Sequence, residues 1–483
     1  MQLYDKDLLS VQEVRELVEK AKAAQEELSQ KSQAEVDAIV KSIAYAGVRN
    51  AKRLAKLAHE ETGFGIEADK VIKNIFGSRD VYEHIKDMKT IGELGYDEEK
   101  KVRTIAVPVG VIAGLIPSTN PTSTAFYKSE ISIKAGNAIV FSPHPNARNC
   151  ILEAVKVIRQ AIAEAGGNEN LVSCITIPTI QATDNLMKHP DVALILATGG
   201  SAMVRAAYSS GTPAIGVGPG NGPAYIEKTA DLPLAVKRIM DSKTFDNGTI
   251  CASEQSVVCD KDMEDAVRAE MEKQGAYFLT DEQIAKLGKF ILRANGTMNP
   301  MIVGKSAQVI ADLAGIDIPA GTKVLVAKET GIGRGHPYSN EKLAPILAFY
   351  TADDYKEICR LVQDILHYEG AGHTFSMHTK DPEMVNYFAM RVPASRIIVN
   401  TPSALGGIGG TTGLMPALTL GCGAIGGSAT SENVGPMNLL NKRHVAEGLL
   451  ELDEIKAGLP TCTDGMCSGP KAEEIGRASC RER

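Results

Sequence analysis

The chain has 483 residues, of which 44% are hydrophobic, more apolar material than one core holds, since single cores stop growing at roughly 250 to 300 residues, so two or three domains are expected. A net charge of −7 and a pI near 5.8 exclude the basic footprint of a nucleic-acid binder. Nine cysteines without regular spacing exclude a disulfide framework and fit a reducing compartment.

At the N-terminus, Asp5, Lys6 and Asp7 stand where a secretory signal needs an apolar stretch. The longest apolar run, 107–117, falls short of the ~18 residues of a membrane span. A cytoplasmic location with no membrane partner is therefore expected. Ser10-Val-Gln-Glu13 reads as a capping box, followed by Val11, Val14, Leu17, Val18 and Ala21 at helical spacing, so the first seventy residues should be rich in helix. The runs 102–109 and 111–116 form a strand-turn-strand pattern ending at Pro117. Short apolar runs at 138–141, 172–177 and 192–197, bounded by Pro, Gly or Ser, read as buried parallel strands. Between them, 149–165 repeats Ile151, Val155, Ile158 and Ile162 at helical spacing. Strand-helix alternation implies an open α/β sheet.

After Asn221 a second α/β set begins, with helices expected at 230–243 and 261–274 and strands at 323–327 and 396–399. Glycine-rich 406–413 and 421–427 should be loops near a ligand or an interface. Cys462 and Cys467 form a lone pair, short of the four ligands of a structural zinc site, and read as exposed thiols on a tail; no metal is expected. The stretch 474–483 has no apolar periodicity and is treated as foreign to the fold, in the manner of a cloning or assembly artefact.

Two local patterns carry chemistry. The run Lys243-Thr-Phe-Asp-Asn-Gly-Thr-Ile-Cys251-Ala-Ser-Glu-Gln255 presents Cys251 on a polar, glycine-containing turn, where substrate reaches a thiol and nearby N–H groups favour its thiolate; it reads as a nucleophile. In Leu194-Ile-Leu-Ala-Thr-Gly-Gly-Ser201 a strand enters a small-residue turn before a helix. Gly199, Gly200 and Ser201 then offer free N–H groups to a pyrophosphate.

Together with Gly110-Val-Ile-Ala-Gly-Leu-Ile-Pro-Ser-Thr-Asn-Pro121 and Glu341-Lys-Leu-Ala-Pro-Ile-Leu347, in this order, the cysteine run resembles the aldehyde dehydrogenase superfamily. Within it the chain most resembles the CoA-acylating branch, the aldehyde-oxidising half of bifunctional acetaldehyde/alcohol dehydrogenases. The likeness extends through Thr419-Leu-Gly-Cys-Gly423 and Ser431-Glu-Asn-Val-Gly-Pro436. It implies an α/β aldehyde dehydrogenase fold with a Rossmann-like cofactor domain (1–96 and 110–222), an α/β catalytic domain (223–405), a β-strand oligomerisation arm (97–109 and 428–445) and a tail (459–483). A homodimer or homotetramer is expected, and the residues after Arg443 are too few for an alcohol dehydrogenase domain.

The resemblance also implies roles. Cys251 adds to the aldehyde carbon, and its backbone N–H and the Asn120 amide stabilise the alkoxide. Glu341 holds the nicotinamide-side ribose of NAD, and Gly199, Gly200, Ser201 and Gly218 lie along the dinucleotide. Ser142, His144 and Pro145 stand where hydrolytic relatives place a Lys and a Glu on the adenosine ribose, and no acid there repels a 2′-phosphate, so NADP use is admitted beside NAD. Hydrolytic relatives activate water with a glutamate in a Glu-Leu-Gly-Gly motif. Here Val217 occupies that slot, 34 residues before Cys251. Without a water activator the acyl group should pass to coenzyme A, with His373 of Gly372-His-Thr374 taking or positioning the thiol proton.

The expected activity is reversible, NAD-dependent conversion of a short-chain aldehyde, acetaldehyde or propionaldehyde, and CoA to acyl-CoA. Rival readings are a succinate-semialdehyde or butyraldehyde acylating enzyme, an acyl-phosphate reductase, a hydrolytic dehydrogenase, and a bacterial microcompartment cargo protein in which the amphipathic segment 8–28 docks to the shell.

Overall fold

The computed structural model describes residues 5–458 and the backbone of 461–463 and 466–468. The side chains of Cys462 and Cys467, and the stretch 474–483, lie outside the described residues. The chain forms two compact units, one of Met1–Thr90 and Pro108–Leu440, the other of Ile91–Val107 and Asn441–Arg483.

The first unit contains two parallel sheets. One has five strands in the order Val172–Cys174, Ala138–Pro143, Val111–Ile116, Val192–Thr198 and Ala214–Val217. The Val111–Ile116 and Ala138–Pro143 strands are buried along their whole length, because helices cover both faces of such a sheet and no polar alternation is needed. The other has seven strands in the order Ala276–Phe278, Val324–Lys328, Ile346–Ala352, Glu254–Asp260, Gly222–Ile226, Gly372–His378 and Ala394–Val399. Its core joins Leu325, Ile346 and Phe375 to the helix residues Ile358, Val362 and Phe388.

Local signals account for most helix positions. Ser32 and Glu35 form a capping box at the start of Gln33–Thr62, and Gly63 ends it in the left-handed conformation at φ 65°. The expected helix 149–165 is Arg148–Glu164, and the strand expected at 396–399 is Ala394–Val399.

Three expectations are corrected. The first helix runs Lys6–Leu28 and is capped by Asp5, whose carboxylate accepts from the Asp7 and Leu8 N–H groups. Ser10 is therefore not a cap but a buried helical residue whose hydroxyl meets that of Thr179 at 2.7 Å. Most of the apolar face of this helix is packed inside its own unit at Val14, Val18, Ala21, Ala24 and Leu28, and of the segment expected to dock, Leu8 and Leu9 stay exposed. The strand expected at 172–177 stops at Cys174. Beyond Ile175 the backbone is diverted, since Thr176 and Ile177 donate their N–H groups to the Glu13 carboxylate at 2.9 and 3.2 Å.

The second unit carries a three-stranded sheet in the order Gly92–Asp97, Val102–Pro108, Leu440–Ala446. Its first two strands are antiparallel, with a register shift between Glu93 and Gly95. Of the expected arm segment 428–445, strand structure begins only at Leu440. Among the described residues no helix is long and apolar enough to cross a membrane.

Candidate active site

A cavity of about 550 Å³ opens beyond the carboxyl ends of the five-stranded sheet, the usual ligand position in an open α/β sheet. Each strand delivers its following turn to the wall. Ile116 leads to Ser118, Thr119 and Asn120; Pro143 to His144 and Pro145; Thr198 to Gly199 and Gly200; Val217 to Gly218 and Pro219. Cys251 and Glu341 come from the other half of the chain and line the same space.

Most sequence-predicted residues therefore meet. Ser142, His144, Pro145, Gly199, Gly200, Gly218, Glu341, Asn120 and Cys251 all line the cavity. Ser201 begins the helix Ser201–Tyr208 beside it, and no side chain caps that helix, so its first N–H groups remain free donors. A Cβ placed at Gly200 or Gly218 would meet nothing within 4 Å, which leaves open space along the turns. A dinucleotide pyrophosphate suits this cradle. Ser142 is fixed by a 2.8 Å hydroxyl contact with Thr183. Asp184, on the helix that carries Thr183, also lines the wall and pairs with Lys188 at 2.9 Å. An acidic group is thus present near the region where the sequence showed none.

Cys251 is only partly exposed. Burial, reinforced by the Glu341 carboxyl, pushes its thiol up to about 12. This corrects the expectation that local N–H groups favour the thiolate, because desolvation of the charged sulfur outweighs them. The preceding turn is not a solvated bend either. Asp246 is fully buried in a left-handed conformation at φ 48°, and it accepts bonds from the Lys70 ammonium at 3.0 Å, the Thr249 hydroxyl at 2.7 Å and the Lys73 ammonium. The two lysines hold its carboxyl below the ordinary range although burial pushes the other way.

Lys73 also donates to Asn120 Oδ1 at 2.7 Å. Asn120 stands at the N-terminus of the helix Pro121–Lys134. Its amide nitrogen has one contact, to Thr119 Oγ1 at 3.3 Å.

Glu341 accepts a hydrogen bond from the Gly220 N–H at 2.8 Å, while its own N–H donates to Glu369 Oε2 at 2.6 Å. Burial and the nearby Glu369 carboxylate push the Glu341 carboxyl up to about 8. Gly220 is required by close approach, since a Cβ there would lie 1.9 Å from the Cys251 carbonyl oxygen and 3.1 Å from the His373 ring.

His373 is not among the cavity-lining residues. It is fully buried, its Nδ1 lies 2.9 Å from Thr374 Oγ1, and its Nε2 has no partner. Burial and the Arg396 guanidinium hold its pKa well below the ordinary value, so the ring is neutral. Val217 is buried at the cavity wall, paired with Thr198 across the sheet edge, and supplies no proton acceptor.

Sequence reasoning missed Lys70, Lys73, Asp246 and Glu369. The helix Glu67–Ile75 inverts the usual pattern, burying Lys70, Lys73 and Asn74 while Ile72 is exposed, so its sequence carries no signal for the buried lysines, a residue seldom buried unless paired.

The aldehyde dehydrogenase family model matches residues 3–411. The chain is 46% identical over 443 residues to the bifunctional aldehyde-alcohol dehydrogenase of Escherichia coli K12, covering 91% of this chain and 50% of that protein; it therefore spans about half the length of this curated relative. Among solved structures, a probable aldehyde dehydrogenase from Listeria monocytogenes is 64% identical with a TM-score of 0.93, covering 94% of this chain and 100% of that one. An acetylating aldehyde dehydrogenase from Geobacillus thermoglucosidasius is 51% identical with a TM-score of 0.91, covering 93% and 99% respectively.

Proposed function

Because this chain belongs to the aldehyde dehydrogenase family, we propose that it is a CoA-acylating aldehyde dehydrogenase, which converts a short-chain aldehyde and CoA to acyl-CoA, reversibly, through a thioester on Cys251. The observation that carries this reading is the cavity wall around the thiol. Val217 offers no base, and Glu341, the carboxyl whose charge acts on the Cys251 thiol, is bonded to Gly220 N–H and largely protonated at neutral pH. A thioester formed there has no partner that activates water, so an external thiol is the fitting acyl acceptor.

The Cys251 thiol gives up its proton to water when the positive charge of an oxidised dinucleotide favours the thiolate; the sulfur then attacks the aldehyde carbon, the carbonyl π pair moves to oxygen, and the Cys251 N–H and Asn120 Nδ2 hydrogen-bond the resulting alkoxide. A bound nicotinamide dinucleotide would supply the acceptor for the hydride that must leave the alkoxide carbon for the thioester to form. Glu341 would hold the nicotinamide-side ribose, and Gly199, Gly200, Ser201 and Gly218 the pyrophosphate. In the second half, a CoA thiolate attacks the thioester carbonyl, the same two donors hold the oxyanion, and the Cys251 thiolate leaves. His373 is neutral and buried with a free Nε2, its ring against Gly220, and would position the incoming thiol through that turn or receive its proton once the turn admits it.

NAD is favoured over NADP by analogy with the family, with Asp184 at the cavity wall, paired to Lys188, as the acidic group nearest to a 2′-phosphate's approach. Acetaldehyde or propionaldehyde is the favoured substrate, and the exposed Val445 of the strand Leu440–Ala446, with exposed Leu449 and Leu450 just after it, suits a homodimer or homotetramer. A reactive aldehyde would suit confinement in a microcompartment, and on the helix Lys6–Leu28 the exposed apolar side chains available for capture are Leu8 and Leu9. A panel of acyl-CoAs assayed with NADH and NADPH tests the reading: oxidation of the reduced dinucleotide with release of CoA is expected for two- or three-carbon acyl groups, and no oxidation with any acyl-CoA opposes it.

A further inference from the structure

We infer that Lys73 is a positioning residue for the reaction at Cys251, fixing the Asn120 amide with its nitrogen toward the cavity. The inference rests on the proposed role of Asn120 as oxyanion donor and extends it to a residue that never touches substrate.

An ammonium only donates hydrogen bonds. The Asn120 atom 2.7 Å from Lys73 Nζ must therefore be the carbonyl oxygen, which decides an orientation that an amide by itself leaves open. With Oδ1 taken, Nδ2 faces away from Lys73, one hydrogen toward Thr119 and the other free. A flipped amide would set two N–H groups against a buried cation and turn an acceptor toward a developing negative charge. Donors that stabilise an oxyanion must be oriented before the charge appears, and Lys73 supplies that orientation.

Lys73 is itself held on several sides. It donates to Asp246, to Thr249 O at 3.2 Å and to Thr249 Oγ1 at 3.0 Å, and it is fully within the protein at 2% exposure. Thr249 precedes Cys251 by two residues. One ammonium thus ties the helix Glu67–Ile75 to the turn that carries Asn120 and to the loop that carries the nucleophile. Lys70 pairs with the same Asp246 oxygen at 3.0 Å, so Asp246 keeps a counter-ion when Lys73 is replaced.

The test is a double-mutant cycle on kcat with Lys73→Met, Asn120→Ala and the pair. Lys73→Met should lower kcat at least tenfold, with dinucleotide affinity and the rate of Cys251 alkylation by iodoacetamide changed less than threefold, since alkylation develops no oxyanion. In the Asn120→Ala background the same substitution should cost less than threefold further. Multiplicative losses, or a Lys73→Met enzyme with normal kcat, would overturn the inference. Lys73→Gln, neutral yet still able to donate to Oδ1, keeps the cycle available if the methionine variant does not fold. It should retain more activity than Lys73→Met where both fold.

Discussion

Glu341 accepts a 2.8 Å hydrogen bond from the Gly220 N–H, so the carboxyl nearest the nucleophile is fastened to the loop that follows Val217. Its proton is held up to about 8 by burial and by Glu369. At pH 7 the group is mostly neutral and takes no proton from water; above pH 8 it is ionised. Slow, CoA-independent acid release should therefore increase as pH rises through 8 and be lost in Glu341→Gln. Release that is flat from pH 6 to 9 in both proteins would show that Glu341 plays no part in it.

The Cys251 thiol, pushed up to about 12, predicts slow alkylation of the free enzyme at pH 7 and a rate still rising at pH 9. A positive nicotinamide ring beside the sulfur favours its anion, so saturating oxidised dinucleotide should accelerate alkylation and move the profile to lower pH. Reduced dinucleotide, whose ring is neutral, should not. Iodoacetamide inactivation followed by mass spectrometry reads both, and an identical profile in all three states contradicts the assignment.

Asn120→Ala should lower kcat by on the order of 10² to 10³, the usual cost of one oxyanion donor, while leaving dinucleotide binding measurable. A change confined to KM would show that the amide acts only in ground-state binding.

His373→Gln separates the two half-reactions. Proton transfer from the CoA thiol belongs to the second half, so the first turnover of NADH should survive while steady-state turnover falls about 10²-fold or more. Equal loss of burst and steady state would place His373 in the first half or in structural support of the Gly220 turn.

Glu254 provides a test of burial away from the cavity. It is 1% exposed, and burial raises its carboxyl from 4.5 to about 7. The folded state then holds a proton that the unfolded chain has released between these values, so the stability contribution is full below pH 4.5 and is lost as pH rises through 7. Glu254→Gln should flatten the decline in urea stability between pH 5 and 8 by roughly 3 kcal/mol at most. Parallel pH profiles for the two proteins would contradict the shift.

The strands and the cavity wall were legible because their signals are local. Ala138-Ile-Val-Phe141 and 192–197 are apolar runs closed by turn residues, and each turn that lines the cavity follows its strand directly. The environment of the nucleophile was not legible. Lys73 and Asn120 are 47 residues apart and Glu341 and Glu369 are 28 apart, and no periodicity records which distant polar groups share a buried site. The cysteine run reads as a polar bend because Asp246 and Asn247 look solvated, while in the fold two lysines neutralise Asp246 inside the protein. The helix Lys6–Leu28 shows its apolar face in the sequence, but not that most of the face is covered by its own unit.

The most direct measurement is product analysis with NAD, aldehyde and no CoA at pH 7. One equivalent of NADH per active site should appear in a burst, acyl-Cys251 should accumulate, little free acid should form, and added CoA should discharge the acyl group as acyl-CoA. Steady release of carboxylic acid at a rate comparable to the CoA-dependent reaction would contradict the acylating assignment.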